Sequence, residues 1–191
     1  MYNLVGDFMI NNLNDKNVSL RRLCNNNDDY KLLEKWYQKE YVYLYFEQRM
    51  LSFDEIKEKY YNRTLENSDI PVYIIEYDNK PIGIIQYKLL KDNDKKMYDI
   101  DLDSVYELDI FIGDSNYHNL GIGKITIDLM CNYLFDNLNA KAIIMCPMEN
   151  NYRAIRCYEK CIFKKVKTFI MNDTIGNMTN YVLMMRVRDS N

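Results

Sequence analysis

Histidine, proline and glycine are scarce in this chain, with one, three and six in 191 residues. With a single histidine, His118, and cysteines that read as small apolar packing, no zinc site and no metal is expected. The five cysteines, Cys24, Cys131, Cys146, Cys157 and Cys161, are odd in number and scattered. That pattern fits reduced thiols in a cytoplasmic protein and not a disulfide framework. No Pro-rich or Gly/Ser-rich linker and no internal repeat divides the chain. One domain over 18–191 is therefore expected, preceded by an Asn-rich, loose or edge-packed extension at 1–17. No apolar run approaches the ~20 residues that cross a bilayer, so no membrane partner is expected. The N-terminus has neither a basic region nor an apolar core, so no signal peptide is expected. The net charge of −3 and pI near 5.3 argue against nucleic acid, whose phosphates call for concentrated Lys and Arg. Mild acidity suits a cationic small molecule, and it equally suits plain solubility.

Residues 18–23 alternate and predict a first strand. Asn26 or Asn27 can cap a helix through about Gln38, with Tyr30, Leu33, Trp36 and Tyr37 as its apolar stripe. Ser52 and Glu55 have capping-box spacing for a second helix to about Tyr61. Two β-rich runs, 72–76 and 82–87, flank Tyr77-Asp78-Asn79-Lys80 and predict a hairpin. An acidic connection covers 89–103. Further expected elements are a strand at 104–112, a helix from Leu120 to about Leu138, a short buried strand at 142–145 and a helix from Asn151 to Lys160. Strands at 163–171 and 181–187 follow, paired antiparallel. The order is β-α-α-β-β-β-α-β-α-β-β, an α/β (α+β) chain with a mixed sheet and helices on both faces.

Two motifs point to chemistry. His118-Asn119-Leu120-Gly121-Ile122-Gly123-Lys124 leads from a strand into a helix. Glycines there let backbone N–H groups approach an anion, and the helix dipole adds positive potential. A P-loop is excluded by His118 and Ile125, and a dinucleotide fingerprint by Thr126. Alone, the loop also fits a tight entry to a core helix. Asn151-Tyr152-Arg153-Ala154-Ile155-Arg156-Cys157-Tyr158 opens a second helix. In this order, with a strand before each, the pair suggests a site for a pyrophosphate-bearing acyl carrier.

The run Asp109-Ile110-Phe111-Ile112-Gly113, the His118–Gly123 loop and Asn151-x-x-Ala154-x-x-x-Tyr158 before Phe163 resemble the Gcn5-related N-acetyltransferase superfamily over roughly 18–188. Arg153–Lys160, Glu107-Leu108-Asp109, Asn116-Tyr117 and the 75–83 hairpin are similar to aminoglycoside 6′-N-acetyltransferases. The resemblance implies a mostly antiparallel sheet in which a parallel strand pair, 104–112 and 140–145, splays around acetyl-CoA as co-substrate. Main-chain groups of Ile110, Phe111 and Ile112 would pair with the pantetheine. The segment His118, Asn119, Leu120, Gly121, Ile122, Gly123 and Lys124 would hold the pyrophosphate, and Asn151 with Ala154 would border the pantetheine arm. His118 replaces a usual Arg or Gln and supplies less charge. Ile162 replaces a usual glycine, which predicts a different turn. Cys146 stands where resistance enzymes often carry an Asp.

Acetyl transfer to an amine needs a neutral amine, a polarised carbonyl and a proton for the leaving thiolate. The resemblance marks Asp109 as base or ammonium anchor and Tyr158 as proton donor, with a backbone N–H near Ile110 polarising the carbonyl. Glu107 shares a strand face with Asp109; both could instead pair with Lys or Arg at the surface. Tyr158 could instead be a core aromatic among eighteen tyrosines. Direct attack by the amine makes a Cys146–His118 nucleophile pair unnecessary, and small apolar packing accounts for Cys157 and Cys161. Tyr43, Tyr45, Phe46 and Glu47, placed in the connection between the first two helices, would face a cationic amine. Asp92, Asp94, Asp99, Asp101 and Asp103 would either attract that cation or simply be solvated. The expected activity is N-acetylation of an aminoglycoside 6′-amine, conferring resistance. The alternatives are acetylation of a polyamine, peptide N-terminus or small metabolite, or a non-catalytic acyl-CoA-binding module. A monomer or homodimer is expected.

Overall fold

The computed structural model describes residues 9–13 and 16–188. Eight strands form one sheet in the order β1-β2-β3-β4-β5-β6-β8-β7. They are β1 (Met9–Leu13), β2 (Lys16–Arg22), β3 (Val72–Tyr77), β4 (Lys80–Leu89), β5 (Val105–Ile112), β6 (Ala142–Met145), β7 (Lys164–Asn172) and β8 (Met178–Val187). Every neighbouring pair is antiparallel except β5 with β6. Part of the expected extension is thus an edge strand, since Met9–Leu13 pairs with β2. Residues 1–8 lie outside the described part.

Three helices cover β2–β5 on one face: α1 (Asn27–Tyr37), α2 (Glu40–Phe46) and α3 (Phe53–Tyr61). Asn26 caps α1 by accepting from the Asp29 N–H, and Ser52 with Glu55 closes a capping box on α3. The stripe Tyr30, Leu33, Trp36 and Tyr37 is buried against Val72, Ile74, Ile84 and Phe111. Arg21 of β2 grips Asp29 of α1 with two 2.7 Å hydrogen bonds. Gly113 admits the Trp36 ring, since a Cβ there would stand 2.1 Å from Trp36 Cγ. On the other face, α5 (Ile122–Asn137) and α6 (Tyr152–Lys160) bury Ile127, Met130, Leu134, Ile155 and Tyr158 against Leu108, Ile143 and Met145.

Two connections turn out helical. Residues 43–47, expected as a link, lie mostly within α2, and the acidic 89–103 segment contains α4 (Asp92–Tyr98). Each of these helices has seven residues, about two turns, too short to impress a 3.6-residue period on the sequence. The hairpin turn at Asp78-Asn79 has both residues at positive φ, as a two-residue primed turn requires. Ile162 departs from expectation. Its φ of +67° keeps the left-handed turn that a glycine would make, so the turn is retained and the side chain bears the strain.

Candidate active site

β5 pairs with β6 only at Val105↔Ala142, Tyr106↔Ile143 and Glu107↔Ile144. It runs on to Ile112 with β4 alone beside it. The two parallel strands therefore part after Glu107. Antiparallel pairing decides which main-chain groups face the gap. Leu90 N–H donates to Val105 O and Gly113 N–H to Ile82 O. Odd-numbered residues of β5 thus aim their main chain at β4, and even-numbered ones at the gap. Ile110 and Ile112 are aimed into the gap as expected. Phe111 is not: its main chain belongs to β4, and its ring is buried against Trp36, Tyr37 and Phe46.

The glycine loop caps the gap. Gly121 is the N-cap of α5 at φ +82°, and Asn119 is also left-handed, at +61°. Such alternation turns successive N–H groups into a concavity suited to anions. No side chain caps α5, so its first N–H groups remain for a ligand. Leu120 is exposed and Ile122 buried. Lys124 bonds Asp128 at 2.6 Å. His118 does not face the loop as a free ligand group. One ring nitrogen lies 3.0 Å from Ile112 O, the other 3.0 Å from Arg153 Nη1. Arginine can only donate, which makes Nδ1 the acceptor and places the proton on Nε2. Arg153 brings the loop a positive charge that His118 lacks. The motif contained Arg153, but only the folded loop shows this role. Asn151 caps α6 through Oδ1, which accepts from the Ala154 N–H at 3.2 Å, leaving its amide NH2 toward other partners.

On the helical face covered by α1–α4, Glu107 and Asp109 lie between two packed clusters. One gathers α1–α3 around Phe111; the other gathers Tyr98 of α4 with Val105, Ile144 and Leu183. Both carboxylates have partners. Glu107 accepts from Tyr98 Oη at 3.1 Å and meets Lys88 Nζ at 3.0 Å. Burial, then the neighbouring Asp109 charge, pushes its carboxyl up to about 7 against the pull of Lys88. Asp109 Oδ2 accepts from Gln86 Nε2 at 2.9 Å, and Gln86 Oε1 accepts from Arg63 Nη1 at 2.7 Å. Lys59 of α3 pairs with Glu47. Lys59, Arg63, Asn67 and Ser68 help line a cavity of about 370 Å³. Cys146 lies near Tyr98 and Glu107, away from that cavity, its thiol pushed up by burial and by Glu107, so it is a thiol and not a thiolate near neutral pH.

The remaining expected acceptor residues divide. Phe46 packs on Tyr37 and Phe111, Glu47 is held by Lys59, and Tyr45 is half-buried. Of the acidic segment, Asp94 pairs with Lys88, Asp92 and Asp103 with Lys95, and Asp99 with Lys167. Its field is largely compensated. Thr174, at the tip of the β7–β8 hairpin, donates to Glu47 O and bonds Gln48 Oε1 through its N–H at 3.0 Å. This bridges the hairpin to the α2–α3 link.

Tyr158 comes from the opposite face, buried against Phe163. Burial pushes its phenol well above the ordinary range, and the charges of Asp109 and Cys146 add to the shift.

A family model described as an acetyltransferase (GNAT) domain matches residues 25–171, more than half of the chain. This chain belongs to the GNAT acetyltransferase family. GNAT enzymes use acetyl-CoA as co-substrate. Aminoglycoside N(6′)-acetyltransferase type 1 of Klebsiella pneumoniae is 24% identical over 168 residues, covering 86% of this GNAT chain and 82% of the relative. Among solved structures, aminoglycoside acetyltransferase AAC(6′)-Ib with coenzyme A superposes with a TM-score of 0.74 at 23% identity, covering 90% of this chain and 95% of the other. Spermidine N-acetyltransferase from Vibrio cholerae, with CoA and spermine, gives 0.70 at 22% identity, covering 89% and 95%. The eight-stranded sheet with one parted parallel pair is the GNAT fold. Among the described residues no cluster of His, Cys, Asp or Glu could hold a metal, and no helix is long and apolar enough to cross a membrane.

Proposed function

We propose that this GNAT chain transfers the acetyl group of acetyl-CoA to the amine of a small cationic molecule, and that the 6′-amine of an aminoglycoside is an acceptor. The observation that carries the reading is the parting of β5 from β6 after Glu107. It offers the main chain of Ile110 and the N–H of Ile112 on one side and Asp109 beside them. The pantetheine arm would lie along Ile110 and Ile112, bordered by Asn151 and Ala154. The pyrophosphate would lie on the N–H groups of Asn119 to Lys124, with Arg153 supplying charge beside His118. Glu107 and Asp109 would bind the acceptor ammonium, with Tyr45, Phe46 and Glu47 behind them. Asp109 would take the ammonium proton, the new N–C bond would form as the C–S bond breaks, Tyr158 would give its proton to the departing sulfur, and the second proton shed by the new amide nitrogen would return to Tyr158. The phenol, kept protonated by burial, suits that donor role. Residues 18–191 would form the catalytic domain, and the free thiols support a cytoplasmic setting.

Cys146, where resistance enzymes often carry an Asp, favours a second reading, in which the acceptor is a polyamine, peptide N-terminus or other small metabolite. From a different class, an acyl-CoA-binding module without turnover has the same gap but no use for Asp109 and Tyr158. A thiol-release assay with kanamycin-type and polyamine acceptors tests all three. Turnover with kanamycin supports the first reading and turnover with polyamines alone the second. Stabilisation by acetyl-CoA with no thiol release from any acceptor overturns both.

A further inference from the structure

We propose that Arg63, acting through Gln86, is a positioning residue for Asp109. The inference rests on the acetyl-transfer reading above and names residues that the family motifs do not contain. Gln86 lies on β4 directly across from Asp109 and is 6% exposed. A buried amide needs partners for both its ends, and here each end has a charged or charge-backed one. The guanidinium of Arg63 can only donate. Its 2.7 Å bond to Gln86 therefore forces the amide oxygen toward Arg63 and the amide NH2 toward Asp109, 2.9 Å away. Without Arg63 the amide is free to turn over and present its oxygen to a carboxylate oxygen, a repulsive contact. The polarity of the chain fixes Asp109 Oδ2 as an acceptor and directs Oδ1 to the acceptor amine.

Arg63 is itself held for this task. It is half-buried, its guanidinium lies 5.1 Å from the centre of the Tyr60 ring, and Tyr60 is pinned by a 2.7 Å hydrogen bond to Tyr37. Among the described residues no carboxylate forms an ion pair with Arg63. Its charge is spent on Gln86 and, beyond it, on Asp109. Lys59 and Lys88, the other cations near Asp109, are engaged by Glu47 and by Glu107 with Asp94, so neither replaces it.

A double-mutant cycle decides between positioning and general support of the fold. Arg63→Met lowers kcat roughly tenfold or more, as lost transition-state positioning does, and leaves KM for acetyl-CoA unchanged. Arg63→Lys restores part of the loss. In an Asp109→Asn background, Arg63→Met costs less than about twofold, because the group it positions is already gone. Losses that multiply in the double variant overturn the proposal. A second readout needs no turnover. With 13C-labelled aspartate, the Asp109 carboxyl resonance, assigned by its disappearance in Asp109→Asn, moves in both Arg63→Met and Gln86→Leu. An unmoved resonance in folded Arg63→Met protein also overturns the proposal. If the parent chain acetylates nothing while the resonance moves, the relay stands and the acetyl-transfer reading falls.

Discussion

Asp109 and Tyr158 belong to opposite faces of the sheet: Asp109 shares its face with Phe111 of one core cluster, and Tyr158 packs in the other. Their proposed roles separate in kinetics. Asp109→Asn lowers kcat by roughly 10²- to 10⁴-fold, the usual weight of general acid–base help, with acetyl-CoA affinity within about twofold of the parent. Parent turnover in that variant removes Asp109 from the reaction. Tyr158→Phe slows the chemical step in single-turnover experiments more than it weakens coenzyme binding; an unchanged rate refutes the donor role. Glu107 makes a prediction about stability. Its carboxyl goes from an ordinary 4.5 to about 7 on folding, so the fold favours its protonated form. Its contribution is full below the ordinary carboxylate range and is lost as pH rises to about 7. Glu107→Gln should flatten the fall in unfolding free energy between pH 5 and 8, measured by denaturant titration. A slope identical to the parent's contradicts the assignment. Asp109 and Tyr158 were legible because they sit inside contiguous motifs. Arg63 and Gln86 were not: they lie 46 and 23 residues before Asp109 in the chain, and no local pattern joins them.

Among the elements, the long helices and the hairpin were legible from caps and periods, because Asn26, Ser52 and Asn151 each satisfy N–H groups that only a helix leaves open. α2 and α4 were not, since two turns carry no readable period. The end of α6 is the most exposed test of local rules. Ile162 holds a left-handed conformation at φ +67° while its side chain is 63% exposed. A β-branched residue there costs about 1–2 kcal/mol, and little packing offsets it. Ile162→Gly trades that strain for a smaller entropic cost in the unfolded chain. The melting temperature should rise by about 2 °C, judged from the usual scaling for a chain of this size. A lower melting temperature shows that the turn is held by the Ile162 side chain after all.

At the scale of the whole molecule, the sheet does two jobs with one irregularity. Six of the seven neighbouring strand pairs are antiparallel, and the single parallel pair, β5 with β6, closes for three residue pairs before opening. The order of elements was readable, but the parting was not derivable from periodicity; it entered through family resemblance and is visible in the register. The account stands on the open side of β5, and amide hydrogen exchange of Ile110 and Ile112 tests it most directly. With saturating acetyl-CoA, both N–H groups should exchange at least about tenfold more slowly, in step with those of Asn119 to Lys124, while Phe111, already bonded to β4, changes little. Protection confined to other regions, or none at Ile110 under conditions where coenzyme is bound, contradicts the account.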